Sequence, residues 1–163
     1  MENLPTLETQ PVPTKPRRFL IVGGIFLAVL LVAAVSVYTW FAVYGPCGRG
    51  TVDTASAALI DQLKAFEADF QMAASMNAVG LVGPVTHMEQ TLLATREVVV
   101  PACMQVAKNE LVTSIESEIR AYLAIMSQKP DKTVQKLKAD AKTHLEKFGT
   151  ELEAVNRCAP FCL

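Results

Sequence analysis

The residues most able to do chemistry are four cysteines, Cys47, Cys103, Cys158 and Cys162. An even count suits a disulfide framework, and four cysteines permit three pairings. Cys158-Ala-Pro-Phe-Cys162 places three residues between its sulfurs, one more than the CxxC spacing of dithiol redox motifs. Covalent haem would require CxxCH, which does not occur. Zinc sites favour closely spaced cysteine pairs joined by histidine, and His87 and His144 stand too far from the cysteines in sequence. Structural disulfides are the expectation.

Other chemistry finds little support. Di-metal bundles use Glu-x-x-His motifs, but Pro84 and Ala141 stand three residues before His87 and His144. Both histidines read as surface or cap residues. Glycine-rich phosphate loops, GxSxG elbows and HExxH are all missing from the chain. Glu116 with Glu118, and Glu151 with Glu153, are spaced i,i+2 and share no helix face, so they read as solvated charges. No enzyme, metal or cofactor is expected.

The element that must position everything else is the uncharged stretch at residues 19–44. About 20 apolar residues suffice to cross the ~30 Å hydrocarbon core, which predicts one transmembrane helix. Tyr38, Trp40 and Tyr44 form an aromatic belt at one end, and Lys15, Arg17 and Arg18 flank the other. That bias puts the N-terminus in the cytoplasm. A cleavable signal peptide has an apolar core of only ~7–15 residues, so an uncleaved anchor in the cell membrane is expected. Gly24 and Ala28 have the small-xxx-small spacing that lets membrane helices pack closely, although a lone helix in lipid explains them too.

Residues 1–18 carry four prolines and little to bury. They read as a disordered cytoplasmic tail, too short for a signalling domain. Charge excludes another class. The 163 residues have a net charge of −1, with 12 basic and 14 acidic residues from Cys47 onward. Nucleic-acid binding needs a clustered basic face.

Residues 45–163 read as an extracytoplasmic all-α domain. Residues 45–50 form a hinge, and Thr51 or Asp53 can cap the next helix. Val52, Ala55, Leu59, Leu63, Phe66, Phe70 and Ala73 then repeat at three- and four-residue steps. Pro84 suits the start of a second helix, with Val85, Met88, Leu92, Thr95 and Val99 on its stripe. Pro101 interrupts that run, so a third helix starts there with Met104, Ala107, Leu111, Ile115, Ile119 (or Glu118), Tyr122 and Met126 inward. One long helix kinked at Pro101 is the rival. Residues 128–132 make a turn with Asp131 as cap. Val134, Leu137, Ala141, Leu145, Phe148, Leu152 and Val155 mark the fourth helix.

Four helices with short connections predict an up-down-up-down bundle. It resembles sensory helical-bundle ectodomains, which normally feed a second membrane helix into cytoplasmic signalling parts; ending at Leu163, this chain lacks one. The topology gathers all four cysteines at the membrane-proximal end. Cys103 lies about 26 residues before the turn at Lys129, level with Asn156 and ~3 Å from Cys158 at the helical rise. The expected bridges are Cys103–Cys158 and Cys47–Cys162, with Cys47–Cys158 and Cys103–Cys162 as the close alternative.

Two features suit binding. Val79, Leu81 and Val82, in the turn between the first two bundle helices, offer a protein contact if exposed and a lid if folded inward. The small residues Ala55, Ala58, Ala65, Ala73 and Ala141 leave room for an apolar ligand or let helices pack closely. The expected function is therefore a membrane-anchored accessory or scaffold protein that meets a protein partner. A tethered carrier or sensor of a small apolar ligand is the alternative.

Overall fold

The computed structural model describes residues 17–159, with side-chain surroundings from residue 27 onward. Five α-helices follow in order: α1 (Arg17–Tyr44), α2 (Arg49–Ala74), α3 (Val82–Glu97), α4 (Gln105–Met126) and α5 (Asp131–Cys158). A 3₁₀ turn, Ala102–Met104, precedes α4. No strand occurs among the described residues. The chain divides into two compact units, one ending at Tyr38 and one beginning at Thr39.

The first unit is the body of α1. Leu27, Val29, Leu30, Leu31, Val32 and Val35 are all exposed, so apolar side chains cover the helix surface. The hydroxyl of Ser36 donates to the carbonyl of Val32 at 2.8 Å, which satisfies that donor inside the helix. By length and composition the N-terminal helix can cross a membrane. Ala28 is exposed; the surroundings of Gly24 lie outside the described residues.

The second unit opens with the end of α1, where Trp40 and Tyr44 approach to 6.4 Å between ring centroids. The chain then turns sharply. A Cβ on Gly48 would sit 2.6 Å from the Val43 carbonyl oxygen, so only glycine fits that turn. Gly48 is also the N-cap of α2 and supplies no side-chain bond. Thr51, expected to cap, instead donates its hydroxyl to the carbonyls of Gly45 (3.1 Å) and Gly48 (2.7 Å).

α2 buries Val52, Ala55, Leu59, Phe66 and Ala73, the stripe read from its spacing. They meet Val85 and Met88 of α3, Leu111, Ile115 and Tyr122 of α4, and Phe148 and Val155 of α5 in one core. α4 packs most extensively on α5, while α2 and α5 touch only sparingly. Three- and four-residue periodicity thus becomes a shared apolar interior.

α3 ends three residues short of the expected Val100. Pro101 disfavours helical geometry in the residue before it, and the β-branched run Val98-Val99-Val100 prefers extended backbone. Lys108 holds the break from α4: its Nζ donates to the carbonyls of Arg96 (2.5 Å) and Val98 (2.7 Å). A cation there satisfies acceptors that the helix end leaves open. Pro101 therefore marks a turn, and α3 and α4 are separate helices.

Between α4 and α5 the chain closes with paired bonds. The N–H of Lys129 donates to Ala124 at 2.9 Å and that of Gln128 to Ile125 at 3.0 Å, while Gln128 has φ 52°. This is a Schellman closure with glutamine in the left-handed position. Asp131 lies in the first turn of α5, but Pro130 is the N-cap, without a side-chain bond.

Candidate functional site

The cysteines come together differently from the expected pairing. Cys47 bonds to Cys103, with Cα atoms 6.3 Å apart. The Cys103–Cys158 and Cys47–Cys162 pairs are thereby replaced. Matching α4 against α5 by level leaves out the extended segment 98–101, which runs back beside Gly50, Thr54 and Ala58 at the start of α2. Cys103 follows it toward Cys47. Cys158 is also disulfide-bonded, and Cys162 lies outside the described residues.

The turn between α2 and α3 resolves into two parts. Leu81 is buried to 2 % exposure and folds over the core, whereas Val79 is 87 % exposed and Val82 is exposed with it. Met72 and Met76, in the last turn of α2 and just beyond it, are exposed nearby in sequence. Leu81 acts as the lid; Val79 and Val82 remain available for contact. The turn thus divides between one inward and two outward side chains.

Sequence reasoning missed the most distinctive site, a cleft of about 380 Å³ where α2 and α5 stand apart. Leu63, Phe66 and Phe70 wall it from α2, Leu145 from α5, and Ser114 and Glu118 of α4 line it too. Ser114 donates to the Ala141 carbonyl at 2.8 Å, so small residues draw α4 and α5 together at this level. Phe70 meets Tyr122 edge-on at 6.2 Å, and Lys138 Nζ lies 5.4 Å from the Tyr122 ring centroid, within cation–π range.

Glu118 is not a solvated charge. It is 7 % exposed, and its buried Oε1 has no hydrogen-bond partner among the described residues. Burial pushes its carboxyl above the ordinary value of 4.5, outweighing the opposing pull of Lys138. One turn on, the Tyr122 hydroxyl is likewise buried and unpartnered. Its pKa is pushed up to about 12, first by burial and then by the Glu118 charge. α4 buries an arc wide enough to take in Ser114, Ser117, Glu118, Ala121 and Tyr122. That width is the signal which the narrow stripe concealed.

Each histidine lies beside a carboxylate, the His144 pair partly buried. His144 Nδ1 lies 2.6 Å from Glu110 Oε2, and His87 Nδ1 lies 3.6 Å from Asp69. Arg96 pairs with Glu116 between α3 and α4. A broader apolar trough of about 930 Å³ runs between segment 98–101 and the start of α2, with Val43 and Tyr44 on its wall. Val99 there is 91 % exposed. No family model, curated protein or solved structure matches this chain.

Proposed function

We propose that this protein is a non-catalytic, single-pass membrane protein with its N-terminus in the cytoplasm, which presents an up-down-up-down helical bundle outside the membrane to a protein partner. Lys15, Arg17 and Arg18 before the apolar helix support that orientation. A disulfide between Cys47 and Cys103 suits an oxidising compartment. The observation that carries the partner reading is the exposure of Val79 and Val82 beside a buried Leu81. Apolar side chains exposed together at one turn suit a protein contact.

A photo-crosslinking residue at position 79 of the full chain, in cells, tests this. A discrete adduct at 79, absent at the exposed α5 position 132, supports the reading; no adduct at 79 overturns it. A second reading, a tethered carrier or sensor of a small apolar ligand, is favoured by the α2–α5 cleft, which Glu118 lines with an unpartnered carboxyl oxygen buried behind it.

A further inference from the structure

The α2–α5 cleft combines features that packing alone does not require. Its 380 Å³ falls within the range of small-molecule sites, and Leu63, Phe66, Phe70 and Leu145 give it apolar and aromatic surface among charged side chains. Glu118 lines it with a largely buried carboxyl, whose Oε1 has no hydrogen-bond partner among the described residues. An orphaned buried acceptor costs roughly 1–3 kcal/mol in desolvation, a cost that a leucine in the same place would avoid. Native interiors rarely retain such a group without a reason.

The surroundings define what could meet it. A carboxylate accepts on both oxygens and a protonated carboxyl still accepts on its carbonyl oxygen, so a donor can meet Glu118 in either state. Lys138 and Lys142 line the cleft and oppose a cationic head, while Glu118 and Glu67 oppose an anionic one. Phe66 and Phe70, with ring centroids 6.4 Å apart, offer a surface for an apolar body.

We propose that this cleft binds a small, uncharged, amphipathic molecule whose hydroxyl donates to the Glu118 carboxyl while its apolar body packs against Phe66 and Phe70. The inference rests on the carrier reading and specifies its ligand class. Beside the aromatic wall, Tyr122 meets Phe70 edge-on and lies within cation–π range of Lys138.

The test is a fluorine NMR titration of the full-length protein in lipid nanodiscs. The probes are 4-fluorobenzyl alcohol and its methyl ether, which share an apolar body but differ in the donor. Empty nanodiscs give the partition baseline. The expected result is saturable binding of the alcohol, with the ether about tenfold weaker, the effect of one hydrogen bond to a buried acceptor. Glu118→Leu should abolish that preference.

Equal affinity for both probes in the wild type would overturn donor recognition while leaving an apolar ligand site standing. Retention of the preference in Glu118→Leu would overturn the role of Glu118. Saturation by neither probe above empty nanodiscs would sink both the inference and the carrier reading. The wild-type comparison decides the matter even if the variant does not fold.

Discussion

Cys47 and Cys103 are joined across a sequence separation of 56 residues, with 6.3 Å between their Cα atoms. The bond ties the linker after α1 to the 3₁₀ turn before α4, enclosing α2 and α3 in one covalent loop. The trough residues 98–101 are therefore held beside the start of α2 by a covalent bond as well as by packing.

Removing that bond should cost stability. A loop of this length restricts the unfolded chain by roughly 4 kcal/mol in the chain-entropy account, and measured bridges more often give about 2–4 kcal/mol. Cys47→Ser with Cys103→Ser should lower the unfolding free energy by that amount in denaturant titrations under non-reducing conditions. Peptide mapping of the unreduced wild type should recover Cys47 linked to Cys103. A Cys47–Cys158 or Cys47–Cys162 peptide instead would refute the arrangement.

The buried Glu118 carboxyl gives stability a pH dependence of definite sign. Burial raises its pKa in the folded chain, with Lys138 opposing weakly. The folded state then holds the proton more tightly than the unfolded state, so stability falls as pH rises. The favourable contribution is fully present below 4.5, the ordinary value. It is lost as the folded carboxyl ionises. Glu118→Gln should flatten this decline, making the variant relatively more stable toward neutral pH. Denaturant midpoints for both proteins from acid to neutral pH provide the check, and parallel curves would show that Glu118 is not the group responsible.

The α4–α5 turn makes a prediction independent of any ligand. Gln128 occupies the left-handed region at φ 52°, where a residue with a Cβ is disfavoured by about 1–2 kcal/mol and glycine is not. Gln128→Gly should stabilise the protein by up to about 1 kcal/mol, after allowing for the greater entropy of glycine in the unfolded chain. Thermal melts would register this as a rise in Tm. A fall would mean that the glutamine side chain contributes more than its backbone costs.

How much of the fold was legible in the sequence depends on how much a three/four spacing can encode. It reports which residues face a partner, and Val52, Leu59, Phe66, Leu111, Ile115, Phe148 and Val155 are buried as their spacing implies. It does not report how wide the buried arc is. α4 packs against both α3 and α5, so its interior face extends past the apolar stripe to Ser114 and Glu118. Leu145, on the α5 stripe, is partly exposed because it borders the α2–α5 cleft. The disulfide departs from the expected pairing for a related reason. Helical register is countable from sequence, whereas the path of the extended segment 98–101 depends on tertiary contacts such as those of Lys108.

Trp40 gives a direct reading of the membrane assignment, because it is the only tryptophan in the chain. It lies near the end of the apolar helix, with its ring 6.4 Å from that of Tyr44. Tryptophan favours the boundary between headgroups and acyl chains, where its apolar body and polar N–H are both accommodated. Its fluorescence in nanodiscs should therefore be quenched more strongly by lipids brominated near the headgroup than by lipids brominated near the bilayer centre. Stronger quenching by the deeper bromines would place the belt inside the hydrocarbon and shift the spanning segment along the helix. Fluorescence indifferent to both would remove Trp40 from the bilayer, and with it the anchor on which the proposed orientation of the bundle depends.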